Sequence, residues 1–348
     1  MISFLKEKTA NLFTGYFALT MATGALSISL FLLDVHFMAK ILLYANSLFY
    51  IILWILTILR LIWHFPKVIA DLTSHEKGPG FFTLVAGTCV FGSQLIIVGD
   101  VYHLAKYLWF FSIFLWLLIM YSFFFSVTIR KEKPRIAQGI NGAWLIAAVA
   151  TQSVSVLGTL LSPHFTNGKE IILFFTFSMF LLGCMLYLNI IALIFYRFTF
   201  VDFKHESLTP PYWINMGAVA IATLAGSNLI LNAKHSTLLT EVIPFLKGFT
   251  LFYWITGTWW IPLLFILMIW KYIYEKIHIT YDPQFWGMAF PLAMYTTCTI
   301  QLSKALEFPF LMVVPKIMIF IAITVWILVF LGLIRSFFIK NKINTYPR

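Results

Sequence analysis

The feature that most constrains this chain is a series of long apolar runs, each close to the length at which an α-helix crosses a bilayer. Short loops separate the runs and hold most of the charged residues. Because backbone polar groups must be satisfied inside the hydrocarbon, the pattern predicts an all-α integral membrane protein. Ten transmembrane helices are predicted, near residues 13–33, 41–61, 80–99, 107–128, 139–161, 171–196, 212–231, 248–270, 284–303 and 316–338.

Composition excludes a water-soluble fold. Hydrophobic residues make up 61% of the 348 residues and charged residues only 11%, whereas soluble domains have roughly 45–50% and about 25%. No polar stretch is long enough for a separate soluble domain. We therefore expect residues 1–348 to form a single transmembrane domain in contact with the lipid bilayer.

The basic residues indicate orientation rather than a nucleic-acid partner. The formal net charge is +11, but the cations lie in short loops between apolar runs. Of the 24 Lys and Arg residues, 17 fall on the side that carries both termini, including those of loop 130–135, and seven fall on the other side. The positive-inside rule predicts a multi-pass protein of the cell (inner) membrane with cytoplasmic N- and C-termini, and no nucleic-acid partner.

The odd-numbered runs recur at a nearly constant spacing of 61 to 72 residues, which suggests five repeats of a helical hairpin. In 20-residue windows, Gly, Ala, Ser and Thr occupy 43 positions of the five odd runs and only 18 positions of the five even runs. Small residues let helices approach closely, and hydroxyl groups need partners that lipid does not provide. The odd helices are therefore expected to form an inner ring, with the even helices outside.

An inner ring lined by small and hydroxyl side chains is a candidate pore. The alternative is that the small residues serve tight packing only, but Gln94, Gln152, Asn228 and Gln301 on the odd helices favour a polar lining. The predicted pore-lining residues are Thr20, Thr23, Gly24, Ser27, Thr88, Ser93, Thr151, Ser155, Thr223, Ser227 and Thr297.

No Asp, Glu, Lys, Arg or His occurs in the five odd windows, which disfavours a proton-coupled pump or a cation channel with an acidic ring. The three cysteines lie apart in apolar runs, and no metal-binding motif is present. We expect no metal, no cofactor and no enzymatic activity.

Four segments of the odd helices carry a resemblance to a known family. Residues 13–24 read FTGYFALTMATG, residues 150–155 read ATQSVS, residues 210–218 read PPYWINMGA, and residues 281–292 read YDPQFWGMAFPL. In order and spacing they resemble the tellurite-resistance and C4-dicarboxylate permease family, which includes the plant slow-type anion channels and the fungal malate and sulfite permeases.

The resemblance implies a homotrimer of ten-helix subunits, each with its own pore lined by the odd helices. It also implies a phenylalanine on the ninth helix that blocks the pore at mid-membrane. Phe290 matches that position, with Pro291 beside it to bend the helix, and Phe285 is the nearest competitor. Many relatives have a proline at the start of the first helix, where this chain has Thr14 and Gly15.

Two functions are left open. The first is passive conduction of small inorganic anions such as chloride or nitrate through the gated pore. The second is a permease or exporter for C4-dicarboxylates such as malate, or for sulfite, with or without coupling to protons. A dicarboxylate carrier is expected to need a basic residue inside the pore, and none is found in the odd helices. No thiol cluster points to tellurite chemistry.

Overall fold

A computed structural model describes residues 2–343, with side chains described for residues 5–336. This part of the chain is all-α and contains no strand, which confirms the predicted helical class. Its α-helices are α1 Ile2–Ala10, α2 Ala18–Leu32, α3 His36–Leu72, α4 Phe82–Ile97, α5 Tyr102–Ile129, α6 Ile136–Gly139, α7 Ile146–Leu161, α8 Lys169–Phe200, α9 Ile214–Asn232, α10 Thr237–Glu241, α11 Ile243–Ile269, α12 Trp286–Leu306 and α13 Val313–Ile343.

Each of the ten predicted runs overlaps one of these helices. Among the described residues, eight helices are long and apolar enough to cross a membrane: α3, α4, α5, α7, α8, α9, α11 and α13. The helix α2 is apolar but has only 15 residues. The helix α12 is less apolar, because Pro291, Gln301 and several threonines interrupt its hydrophobic residues.

The helices fall into two classes by burial. In the most apolar stretches of α4, α7 and α9, 94% of the residues are buried, against 22–44% in α3, α5, α8, α11 and α13. Almost every residue of α2 and α12 is also buried. The buried helices are those rich in Gly, Ala, Ser and Thr, because small side chains allow the close backbone approach that a crowded interior requires.

The five buried helices, which we call the inner helices, form a closed ring. Around it α2 contacts α4, α4 contacts α7, α7 contacts α9, α9 contacts α12, and α12 returns to α2. Each outer helix packs mainly on the inner helix that precedes it along the chain and also touches the next one: α3 lies against α2 and α4, α5 against α4 and α7, α8 against α7 and α9, α11 against α9 and α12, and α13 against α12 and α2.

An aromatic side chain on each outer helix hydrogen-bonds to an inner helix. In every case the bonded inner helix is the next one around the ring, so the outer helix bridges two members of the ring. The donors are indole N–H and phenol O–H groups, which need a partner when they are buried. The five bonds are Tyr50 to Thr88 (3.1 Å), Trp116 to Thr151 (2.8 Å), Tyr187 to the Asn215 carbonyl (3.4 Å), Trp254 to Thr299 (2.9 Å) and Trp326 to Thr23 (3.1 Å).

The inner helices also begin in a common way. Tight 3₁₀ turns at Gly78–Phe81, Gly142–Leu145, Pro210–Trp213 and Pro283–Phe285 lead directly into α4, α7, α9 and α12. The start of α2 has equivalent short-range bonds, such as that from the Ala18 N–H to the Gly15 carbonyl at 3.0 Å. Proline and glycine suit these turns, because proline presets φ and its missing N–H is not needed at a helix start.

Candidate functional site

The five helix starts meet at one end of the ring around a cavity of about 650 Å³, which we call the vestibule. A residue from the turn before each inner helix lines the vestibule: Thr14, Gly80, Ala143, Pro211 and Gln284. The N-terminal end of an α-helix carries a partial positive charge and unpaired N–H groups, so five such ends around one cavity favour an anion there.

The charged side chains of the vestibule are mainly basic. Arg60, Lys67, Lys77 and Arg197 line it together with Asp71 and Glu76. The Asp71 carboxylate is 2.5 Å from Arg60 and 3.3 Å from Lys77, so it is shared by two cations. The balance leaves the vestibule net positive.

A break in α3 makes the Arg60–Asp71 pair possible. The two residues are 11 positions apart, which is about 16 Å along a straight helix. The backbone leaves helical geometry at His64, two residues before Pro66, and the chain after the break turns back. Proline in a helix interior removes a hydrogen bond and kinks the helix, and here the kink brings Asp71 onto the guanidinium of Arg60.

Arg197, near the end of α8, has a different environment. Its Nη1 donates to the Tyr212 hydroxyl at 2.6 Å and to the Ile140 carbonyl. Its Cζ also lies 5.5 Å from the ring centre of Phe203. Within the described part of the chain, no carboxylate lies within ion-pair distance of Arg197.

Beyond the vestibule lies a much narrower cavity of about 30 Å³, which we call the throat. The two cavities share wall residues at Phe13, Gly80, Pro211 and Gln284, so they are contiguous. A water molecule needs roughly 10–15 Å³, so the throat holds about two waters and no hydrated ion. All five inner helices line it, through Ala18, Met21, Thr83, Ile146, Val149, Ile214, Gly287 and Phe290.

Phe290 lies at the throat and is only 1% exposed. The following residue, Pro291, packs on Gly217 of the neighbouring helix α9: a Cβ atom added at Gly217 would lie 2.7 Å from Pro291 Cγ. Phe285 lies elsewhere, in the wall of a separate cavity of about 620 Å³ formed with residues of α13. The two candidate gate residues therefore occupy different environments.

Most of the hydroxyl groups that were predicted to line the pore instead form hydrogen bonds with neighbouring helices or with their own helix. Six of the eleven residues meet a neighbouring helix: Thr23, Thr88 and Thr151 accept from outer-helix aromatics, Ser27 donates to the Ala39 carbonyl, Ser155 donates to the Thr176 carbonyl, and Thr297 bonds Ser29 at 2.7 Å.

The other five predicted lining residues divide further. Ser93 and Thr223 donate to carbonyls of their own helices. The hydroxyls of Thr20 and Ser227 are buried without a hydrogen-bond partner. A Cβ atom at Gly24 would lie 2.8 Å from Val90, so Gly24 marks close contact between α2 and α4.

Two of the four inner-helix amides are also bonded across helices. Asn46 of α3 donates to Gln94 at 2.7 Å, and Gln152 donates to the Phe180 carbonyl at 2.9 Å. These amides at membrane depth are therefore satisfied by partners on other helices.

Arg60 and Arg197 were not among the predicted site residues, because only the odd, inner helices were predicted to line the pore. Both belong to outer helices and reach the vestibule from behind the ring. An arginine near the end of an apolar run was a usable signal, since such a residue must find water, an anion or a polar partner. Met21 and Thr83 of the throat were missed because no pattern distinguished their helix faces.

Over the residues with described side chains, no group of three or more His, Cys, Asp or Glu residues could hold a metal ion. Cys89, Cys184 and Cys298 are buried and free.

Comparison with known proteins gives matches that, for the family profile and one relative, extend over nearly the whole chain. The sequence profile of the family described as "voltage-dependent anion channel" matches residues 11–334. The uncharacterized transporter MJ0762 of Methanocaldococcus jannaschii is 27% identical over 96% of this chain and 98% of its own length. A second transporter of that organism, MJ0576, is 27% identical over 86% of this chain and 85% of its own. The uncharacterized membrane protein Rv1735c of Mycobacterium tuberculosis is 29% identical over 43% of this chain and 76% of its own.

Proposed function

We propose that this chain, which belongs to the voltage-dependent anion channel (SLAC1) family, conducts small monovalent anions such as chloride or nitrate. The proposed path enters at the vestibule and runs through the throat, and flux is passive. One observation carries the proposal: a net-positive vestibule surrounded by five helix starts leads into an uncharged throat that all five inner helices line.

The vestibule supplies the preference for anions. Its arginine and lysine side chains raise the local anion concentration, as do the positive ends of the inner helices. The throat offers neither a carboxylate to attract cations nor a titratable group to relay protons. A site that attracts an anion at the mouth and binds it weakly in the throat suits conduction, because an ion must also leave.

Phe290 is the proposed gate, and Pro291 is proposed to fix the position of its ring against Gly217. The closed throat has room for about two waters, so a phenyl ring at this point is enough to stop a hydrated anion. Rotation or removal of the Phe290 phenyl group would connect the vestibule with the opposite end of the five inner helices. This proposal favours Phe290 over Phe285, because only Phe290 lines the throat.

The residues that were predicted to line the pore are proposed to have a structural role. We propose that Thr23, Thr88 and Thr151 shape the conduit by holding the inner helices against the outer ones, as their bonds to Trp326, Tyr50 and Trp116 support. The surface along which an anion moves is proposed to include Met21 and Thr83 instead.

Architecture and placement form part of the same proposal. We propose ten membrane spans arranged as five helical hairpins. The ten are the eight long apolar helices together with α2 and α12. The excess of basic residues around the vestibule supports a cytoplasmic location for it and for both termini in the cell membrane. A homotrimer is proposed on the family resemblance, and the exposed apolar faces of the outer helices suit contact with lipid as well as with a neighbouring subunit.

A second candidate function is a permease for C4-dicarboxylates or sulfite. The specific observation in its favour is the presence of Arg60 and Arg197 in the vestibule. These residues supply the cationic site that a dicarboxylate carrier would need. A carrier would couple uptake to a second gradient, so dependence of transport on a proton gradient separates the two candidates.

Replacement of Phe290 tests the gate. We expect Phe290→Ala to raise chloride conductance severalfold in planar bilayers, because it removes the ring that fills the throat. The matched control is Phe285→Ala, which deletes the same number of atoms five residues earlier and outside the throat. We expect this control to leave conductance within about twofold. Equal effects of the two variants, or no effect of Phe290→Ala in well-folded protein, would remove Phe290 from the proposed role.

A further inference from the structure

Arg197 combines deep burial with an unneutralised charge. Its side chain belongs to a residue that is only 7% exposed, and it lines the vestibule. A buried arginine normally has a carboxylate partner, because removing an unpaired charge from water is costly. Among the described side chains, none of the ion pairs includes Arg197.

The protein contacts of Arg197 use only one of its nitrogens. Nη1 donates to both the Tyr212 hydroxyl and the Ile140 carbonyl. Within the described residues, Nη2 and Nε have no protein partner, yet neither is sealed away from solvent. The planar guanidinium therefore keeps a free edge with N–H donors next to the 650 Å³ vestibule.

The position of this free edge is fixed by the surroundings. The Arg197 Cζ lies 5.5 Å from the Phe203 ring centre and 5.9 Å from the Tyr212 ring centre. These two rings and the Nη1 bonds hold the guanidinium in one place. A donor held in place loses little conformational entropy when it binds an anion, which favours binding.

The other cations near this end of the ring do not share these properties. Arg60 is also buried, but Asp71 neutralises it at 2.5 Å. Lys77 shares the same carboxylate. Lys271 is buried and donates to the Leu208 carbonyl, but it does not line the vestibule. Among the described residues that line the vestibule, Arg197 is thus the buried cation without a carboxylate partner.

We propose that Arg197 forms a binding subsite for a single small anion in the vestibule, where a halide or nitrate ion binds the free Nη2 and Nε edge before it enters the throat. The Ser207 and Thr209 hydroxyls line the same vestibule and are available as further donors. This inference rests on the proposed function, because it names the residue that selects the permeating ion.

Conductance measured against chloride concentration tests the subsite in the open Phe290→Ala background. Adding Arg197→Gln should raise the half-saturating chloride concentration on the vestibule side about tenfold, because a charge-assisted hydrogen bond is lost. The anion-to-cation permeability ratio should fall at the same time. Adding Arg197→Lys should restore most of that ratio but less of the affinity, since a point charge replaces the planar edge.

Lys271→Gln in the same background is the matched control. Lys271 lies just after the end of α11 and is a buried cation that does not line the vestibule. We therefore expect its replacement to change the half-saturating chloride concentration by less than twofold. A purely structural role of Arg197 would reduce the amount of folded protein without changing chloride affinity or ion preference. Equal changes with Arg197→Gln and Lys271→Gln would overturn the subsite.

A second measurement applies if the Arg197 variants do not fold. The thermal midpoint of purified wild-type protein should rise when sodium gluconate is replaced by sodium chloride, and the rise should begin near the chloride concentration that half-saturates conductance. No chloride-dependent shift would overturn the subsite. The two proposals fail differently: no anion current in Phe290→Ala contradicts conduction, whereas anion current with unchanged affinity in Arg197→Gln contradicts only the subsite.

Discussion

Thr151 shows how a single hydroxyl group can serve two helices in this fold. It donates to the Ala147 carbonyl one turn earlier in α7 at 2.9 Å and accepts from the Trp116 indole of α5 at 2.8 Å. Lipid provides no replacement for either bond. The residue therefore stabilises the inner helix and attaches it to the outer helix at the same time.

Thr151→Val is expected to destabilise the protein. Valine keeps the shape but leaves the Trp116 N–H buried without an acceptor, a loss of about 1–2 kcal/mol in a membrane interior. Equilibrium unfolding in mixed micelles measures the change. Thr20→Val is the matched control: Thr20 is equally buried, but its hydroxyl has no partner, so valine should be neutral or slightly stabilising. Equal destabilisation by both variants would contradict this role of the indole bond.

Only part of the environment of these hydroxyl groups could be predicted from the sequence. Their restriction to helices rich in small residues was visible, and it predicted that the side chains would be interior. Whether a threonine faces a conduit or an outer helix depends on the rotation of its helix, which side-chain packing determines. For Thr88 and Thr151, the decisive neighbours were aromatic residues 38 and 35 positions away in the chain.

At the scale of elements, the turns that begin the inner helices contact one another closely. In the turn before α7, a Cβ atom at Gly142 would lie 2.4 Å from the Pro211 carbonyl oxygen and 2.6 Å from the Tyr212 Cα. Both atoms belong to the backbone of the turn before α9, so no flexible side chain can move aside. This contact sets the distance between two helix starts at the vestibule.

Gly142→Ala should therefore separate the starts of α7 and α9. We expect a loss of about 1–3 kcal/mol, as is usual for an overpacked contact, together with altered conductance in the Phe290→Ala background. The control is Gly248→Ala in α11, where the added methyl group meets nothing within 4 Å. Alanine is the better helix former, so this control should be neutral or stabilising by about 0.5–1 kcal/mol. Wild-type stability in Gly142→Ala would contradict the close contact.

The helical class and the burial of the odd runs could be predicted, because both follow from the hydrophobicity and size of residues within one run. The effect of the break in α3 could not be predicted. Pro66 marked a possible kink, but the pairing of Arg60 with Asp71 depends on the direction in which the chain turns after His64.

At the scale of the whole molecule, a positive vestibule opens onto a closed, uncharged throat. The vestibule was not predictable from the separate runs, because it combines turns before five inner helices with arginines from two outer helices. The absence of charged residues from the predicted inner helices, in contrast, could be read directly from the sequence. A proton relay through the throat is disfavoured because it would need titratable side chains there.

Current through this molecule is expected to be insensitive to pH between 7 and 8.5. His75 lies next to the vestibule residues Glu76 and Lys77. Burial, followed by the nearby cations Arg130 and Lys133, lowers the pKa of His75 below its ordinary value of 6.5. A lowered pKa keeps the imidazole neutral throughout this range, so its charge does not change as the pH rises.

The most direct test of the central claim is the reversal potential of Phe290→Ala protein in proteoliposomes under a chloride gradient, first at pH 7 and then with a pH gradient from 7 to 8.5. For passive anion conduction we expect a potential near the chloride equilibrium value that does not move with the pH gradient. A potential that follows the cation gradient would contradict anion conduction. Uptake that appears only under a proton gradient would contradict passive flux and favour the coupled permease.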